Sequence, residues 1–363
     1  MARFTSAVLA MTTTNLRRIA IALKAGVEAT SNYRRIQRFL SEYDFDAVAL
    51  GSFLLRLLPQ EAPYKVAVDR TEWYFGSELV NVLVVGIAHE GMAFPLAWSA
   101  LSAAGSSSAA GSSSAVEQTR VMERFLAVVD PEDIEVVVAD REFISVQWLR
   151  HLRKREIPFC VRLRSDRRVG LSGEDPHQTL PARMHARTQS QVGDEKVLCN
   201  QRYLFGAEAN ATGLPTRVVV RRIAATDSGK PEGDQFLILA TWGIDPEQAT
   251  GLYRRRWEIE TMFAALKSRG FDLEATHLTD PEGVENLIGL LALAFAWVRL
   301  VGRKRANRHG APPEKSHGRP GRSFFRYGLD WLQSILTTPD PQPRAFFECL
   351  RGLRSPTAFL SCT

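Results

Sequence analysis

The 363-residue sequence predicts an α/β fold: a mixed sheet core interrupted by a β-rich insertion, preceded by a helical region and followed by further helices. Three observations carry this. Between Pro63 and Arg164, apolar runs of strand length alternate with segments of helical period, the pattern of a mixed sheet with helices on its faces. From Arg164 to Asp234 the sequence turns polar and irregular with short β signals, and "QFLILATW" then resumes a core strand. Hydrophobic content of 45% and charged content of 24% are those of a globular chain with a substantial core.

In chain order, residues 1–60 are expected to form an N-terminal helical region. "TNLRRIAIALKAG" has apolar residues at helical spacing, and "SNYRRIQRFLSEY" opens on the cap candidates Ser31 and Asn32. Such a bundle suits a DNA-binding module or a structural cap equally. Residues 61–163 read as the first part of the core. "YKVAVDRT" is a short strand ending in Asp69, and "ELVNVLVVGIAHEGMAFPLAWSAL" is a pair of antiparallel strands turning at His89-Glu90-Gly91. A helix from Val116 to Val129 leads into "DIEVVVADREF", a buried strand ending in Asp140. The helix "SVQWLRHLRKR" and the strand "PFCVRLR" come next.

Residues 164–235 are the β-rich insertion, with β signals at "EKVLCNQRYLF" and "TRVVVRRIAA"; 236–302 complete the core; 303–363 are a basic linker and a C-terminal helical region. The tandem hexapeptide "AAGSSSAAGSSS", Ala103 to Ser114, has the composition of a flexible surface loop.

A net charge of +6 favours a polyanionic partner, and its placement says more than its size. Arg17, Arg18, Lys24, Arg34, Arg35 and Arg38 enrich the N-terminus. Arg299, Arg303, Lys304, Arg305, Arg308, Lys315, Arg319, Arg322 and Arg326 form a tract near the C-terminus. The four cysteines, Cys160, Cys199, Cys349 and Cys362, have no metal-ligand spacing and read as free thiols of a reducing cytoplasm. The N-terminus has no signal-peptide pattern, and the run Leu287 to Val298 is read as too short to span a bilayer and as a buried core helix, so no membrane is expected.

The segment "YRRRWEIETMFAALK", Tyr253 to Lys267, is the most informative. On a single helix with Tyr253 at zero, Arg256, Glu260 and Lys267 fall at roughly −60°, −20° and −40°, one narrow polar stripe beside an apolar arc. A solvated Arg256–Glu260 pair explains two of these residues in isolation. The other two carboxylates, Asp69 and Asp140, stand at the expected ends of core strands, where turn or capping roles are the alternative. Oxygen ligands of this kind from separate elements suit two Mg²⁺ or Mn²⁺ ions and phosphodiester chemistry.

"VAVDRTEW", "VVVADREF" and "YRRRWEIETMFAALK" resemble the three acidic motifs of the DDE transposases of bacterial insertion sequences, specifically the family numbered four, whose Tyr-x2-Arg-x3-Glu-x6-Lys signature is matched by Tyr253, Arg256, Glu260 and Lys267. The resemblance implies an RNase H-like core, cut-and-paste movement of a mobile element, and dependence on two Mg²⁺ ions, with Mn²⁺ as a substitute. It also implies a homodimer on double-stranded DNA, engaging terminal inverted repeats and target DNA, cleaving in trans and passing through hairpin ends.

Carried over residue by residue, Asp69, Asp140 and Glu260 would hold metal, and Tyr253, Arg256 and Lys267 would hold phosphates. Arg141 is a further phosphate-contact candidate, with a structural salt bridge as its alternative. Phe236 and Trp242 are candidates for stacking an extruded base, or are core. The glycine/serine repeat departs from the family pattern. An inactive DNA-binding derivative and an RNase H-like nuclease without strand transfer are the competing readings.

Overall fold

The computed structural model describes residues 1–23, 26–101, 113–164, 166–170, 180–181, 200–204, 213–222, 236–313, 321–338, 342–354, 356 and 360. Helices α1 (Ala2–Met11), α2 (Leu16–Ala22), α3 (Ala29–Glu42) and α4 (Ala47–Leu57) form the N-terminal region. Asn15 caps α2 by accepting from the Arg17 and Arg18 amides, and Asp46 caps α4 through the Ala49 amide. Thr13 and Thr14, both buried, donate to Asp272 and Leu273, which fastens this region to the rest of the chain.

Among the described residues the chain then forms a ten-stranded mixed sheet of order β3-β2-β1-β4-β5-β10-β9-β8-β6-β7. Strands β1 (Tyr64–Phe75), β2 (Glu78–His89) and β3 (Met92–Leu101) are an antiparallel meander. The β2–β3 connection is Glu90-Gly91, with φ of +49° and +82°, the doubly positive geometry that two-residue hairpins favour. After α5 (Ala115–Leu126), β4 (Ile134–Ala139) joins β1 in parallel; after α6 (Val146–Lys154), β5 (Phe159–Arg162) joins β4 in parallel. The central strands β4 and β5 are largely apolar and buried, as in a sheet covered on both faces.

Of the glycine/serine repeat, residues 103–112 lie outside the described residues. Its last residue is no idle linker: Ser114 accepts from the Glu117 amide while Glu117 accepts from the Ser114 amide, a reciprocal cap that starts α5.

The insertion contributes β6 (Arg168–Gly170), β7 (Leu180–Pro181), β8 (Asn200–Leu204) and β9 (Leu214–Arg222). They extend the core sheet, β9 pairing with β10 (Phe236–Trp242) from Phe236–Arg222 to Thr241–Arg217. The Glu195–Cys199 part of the expected β signal lies outside the described residues.

The segment carrying Glu260 comes after β10 as α7 (Ala249–Arg254) and α8 (Trp257–Leu266). The long α9 (Pro281–His309), then α10 (Phe324–Thr337) and α11 (Pro343–Arg354), complete the chain. The run Leu287–Val298 is part of α9, whose 29 residues are long and apolar enough to cross a bilayer by length and composition, contrary to the expectation of too short a run. Its most apolar window is 83% buried within the protein, so the helix is a core helix. α9 and α10 cross closely where Gly302 meets Gly328; a Cβ on either would collide with backbone.

Candidate active site

Asp69 and Asp140 come together because β1 and β4 are parallel neighbours. The last pair of their ladder is Val68–Ala139, so the next residue on each chain is an aspartate, and residues in register on adjacent strands share a sheet face. The expectation that β1 ends at Asp69 is corrected: it is β4 that ends, while β1 runs on to Phe75 paired with β2.

The expected single helix is also corrected. α7 and α8 are separated by a tightened turn in which the Arg255 and Arg256 amides donate to Leu252 and Tyr253, and the Glu258 and Ile259 amides to Arg255 and Arg256, all at 3.0–3.1 Å. These are i→i−3 bonds, and such a stretch inside a helix rotates the succeeding residues away from an ideal stripe. Tyr253 closes α7, Arg256 opens α8, Glu260 sits one turn further on, and Lys267 caps the end.

The Tyr253 hydroxyl donates to Asp140 Oδ1 at 3.2 Å. Arg256 Nη1 donates to Asp69 Oδ2 at 3.2 Å and lies 2.6 Å from Glu260 Oε1. One phenol and one guanidinium therefore reach all three carboxylates. The Arg256–Glu260 pair exists, but Arg256 is 6% exposed, so it is not the solvated surface pair that isolated helices use. Arg256 also lies over the rings of Tyr253 and Trp257, at 5.8 and 5.6 Å. Among the described residues, no three His, Cys, Asp or Glu side chains form a ready metal-binding group; the cation between Asp69 and Glu260 is Arg256.

Burial pushes the Asp69 carboxyl from 3.8 up to about 7, helped by the charges of Glu142 and Asp140 and opposed by the Arg70 amide and Arg256. Burial likewise raises the Tyr253 phenol, with Asp140 adding to the shift, so it remains a donor across the working pH range. Burial alone would lower Arg256, but the acidic groups around it, Tyr253, Asp140, Glu260 and Asp69, raise it above its usual value.

The remaining expected residues are spread more widely. Lys267 Nζ donates to the Glu72 carbonyl at 2.8 Å, pairs with Glu274 at 2.8 Å and lies over Trp73, so protein groups already hold it. Arg141 is exposed and pairs with no carboxylate among the described residues. Phe236 and Trp242 are the two ends of β10, and the antiparallel sense of β10 against β5 decides which of them lies at the Asp140 end. Phe236 is at the end where β5 and β4 deliver Asp140; Trp242 pairs with Phe159, stacks on it and lies under Arg153. Six residues along a strand put Trp242 about 20 Å from Phe236.

An aromatic not anticipated from sequence is Trp257, 62% exposed beside Arg256. Its signal was present: four residues after Tyr253 it falls at roughly 40°, on the edge of the polar stripe. The C-terminal basic tract is less available than its sequence suggests. Arg299 and Lys304 are buried, Arg303 pairs with Glu90, Arg308 with Glu348, and Arg322 and Arg326 with Asp330. Lys315 and Arg319 lie outside the described residues.

The chain matches the transposase DDE domain family over residues 105–297, more than half its length, a span that holds Asp140 and Glu260 with Asp69 upstream. No curated protein matches the chain in sequence. The family match, together with the mixed sheet whose adjacent strands bring two aspartates into register, shows that the chain belongs to the transposase DDE domain family.

Proposed function

We propose that the protein is an insertion-sequence transposase of the family numbered four, which moves its element by cutting and rejoining DNA, with Asp69, Asp140 and Glu260 as ligands of two Mg²⁺ ions, replaceable by Mn²⁺. The observation that carries the reading is the linkage of the three carboxylates through Tyr253 and Arg256, all five side chains belonging to the motifs. The donor set fits a hard divalent cation: it is all oxygen, and burial, with Glu142 and Asp140 adding to it, pushes the carboxyl of one member, Asp69, up to about 7, a cost that a bound cation would relieve.

Such ions, when bound, polarise the scissile phosphodiester and lower the pKa of the attacking hydroxyl. The protein's own groups bind and orient the DNA. Arg256 brings its guanidinium to Asp69 and Glu260, beside the point of cleavage, and its planar fork fixes direction as well as charge. Tyr253 orients Asp140 by its hydroxyl, and Lys267 and Arg141 supply positive charge on either side. Phe236 and Trp257 are the rings best situated to receive an extruded base at a hairpin end. The exposed Arg34, Arg35 and Arg38 of α3 give the N-terminal region a basic outer face for double-stranded DNA, the terminal inverted repeats in particular. A homodimer acting in trans, target DNA capture and a cytoplasmic, nucleoid-associated location complete the proposal.

The test uses short inverted repeats identified in the DNA flanking the gene. Incubated with Mg²⁺, a duplex carrying them should be nicked at the repeat end and then joined to a target plasmid. Nicking without joined products would make the protein a nuclease, and binding without nicking would make it a DNA-binding derivative.

A further inference from the structure

The parallel ladder that aligns Asp69 with Asp140 stops at Val68–Ala139, one residue before either aspartate. Beyond that point β4 has ended and the chain turns through the short 3-10 segment Arg141–Phe143. Two ligands that must act on shared ions thus sit just past the last backbone register between their strands. What bridges the gap is a side chain. Arg70, directly after Asp69, extends its Nε to Glu142 Oε2 at 3.3 Å and its Nη1 to Glu72 Oε2 at 2.6 Å. Alternation along β1 directs Arg70 to the sheet face opposite Asp69, so this link lies behind that carboxylate. The Arg70 side chain is 14% exposed and the Glu142 side chain 23%, and the second Glu142 oxygen is buried without a partner, so the contact is shielded from solvent. The Arg70 amide also donates to Asp69 Oδ1 at 2.8 Å, which ties the orientation of the carboxylate to the backbone of the residue that is clamped.

We infer that Arg70 and Glu142 are positioning residues, a strut that holds the Asp69 strand against the Asp140 turn at the spacing needed for both aspartates to bind the same metal ions. The inference rests on the proposed metal triad. A surface ion pair would contribute little to anything, but a shielded pair spanning the point where a ladder ends fixes a distance that the backbone no longer fixes.

The test compares Arg70→Ala, Glu142→Gln and the exchanged double variant Arg70→Glu with Glu142→Arg, with Asp69→Asn and Asp140→Asn as references. Three quantities are read: Mn²⁺ affinity of the DNA-free protein by electron paramagnetic resonance, melting temperature in EDTA, and the Mg²⁺ dependence of single-turnover cleavage. Each single variant should weaken Mn²⁺ binding by about tenfold or more. Half-saturating Mg²⁺ should rise in parallel, and the rate at saturating Mg²⁺ should stay within about threefold of the parent. The exchanged pair should recover much of the affinity. Unchanged Mn²⁺ affinity in Glu142→Gln overturns the strut. So does a rate at saturating Mg²⁺ that falls as far as the affinity, since the pair would then act on DNA or on folding. If instead Asp69→Asn and Asp140→Asn bind Mn²⁺ like the parent, it is the triad that fails.

Discussion

Replacing Asp69 by Asn should make the metal-free protein more stable while abolishing its activity. The folded-state carboxyl titrates near 7 against 3.8 as the ordinary value, so between these limits the native state holds a proton that the unfolded chain has lost. The slope of stability with pH is therefore negative: the contribution is fully present below about pH 4 and is lost as pH rises through about 7. A shift of this size is worth about 4 kcal/mol at pH 8. Asn mimics the protonated form at every pH and removes the penalty. For a chain of this length the gain corresponds to a rise in melting temperature of about 5 °C in EDTA at pH 8, shrinking to less than half that at pH 5 and to nothing below pH 4. Differential scanning calorimetry over pH 4–8 in EDTA measures it. Mg²⁺ should raise the melting temperature of the parent and leave that of Asp69→Asn in place. A variant that melts below the parent at pH 8, with the same pH slope, would refute the argument that burial among carboxylates strains this site.

The same geometry sets other expectations. Asp140→Asn and Glu260→Gln should abolish cleavage while sparing binding to repeat-containing DNA, measured by gel shift; cleavage by Asp140→Asn within about tenfold of the parent would remove it from the metal site. Arg256→Ala should slow single-turnover cleavage by about a hundredfold or more, and Arg256→Lys should also be impaired, because a point charge cannot span Asp69, Glu260 and a phosphate as a planar fork does. DNA affinity should fall by about a thousandfold between roughly 50 and 200 mM salt, and a flat response by fluorescence anisotropy would exclude an extended phosphate footprint. Ser114→Ala should lower stability by about 1 kcal/mol, read from chemical denaturation, through loss of the α5 cap.

Much of this architecture is written locally. The runs that became β4, β5 and β10 are largely apolar because they lie in the core, and the 1-4-8-15 spacing of Tyr253, Arg256, Glu260 and Lys267 points to a shared stripe whatever lies around it. The features that were not legible depend on partners distant in sequence. The end of β1 is set by its pairing with β2, so nothing in "YKVAVDRT" tells that Asp69 lies mid-strand. The tight turn between α7 and α8 forms where Arg256 is drawn towards Asp69, 187 residues away in sequence. Trp242 is carried to the far end of the sheet by the antiparallel sense of β10 against β5, a property of the pair and of neither strand alone. The C-terminal basic tract looked like a surface for polyanions, yet several of its members have partners in Glu90, Glu348 and Asp330 that only the tertiary fold supplies.

The way the insertion joins the sheet bears on any attempt to prepare a minimal catalytic fragment. With β9 in place, Leu239–Thr241 of β10 pair with a strand on both sides, and among the described residues the sheet ends on that flank at β7, two residues long and containing Pro181. Excising residues 164–235 would leave β10 as a bare outer strand carrying Leu237, Ile238 and Leu239, an open row of donors and acceptors with an apolar sequence. Such a strand is a template for pairing with a second molecule. The excised protein should therefore self-associate during refolding, and its loss of solubility would be a property of the uncovered strand that says nothing about the carboxylates on β1, after β4 and on α8.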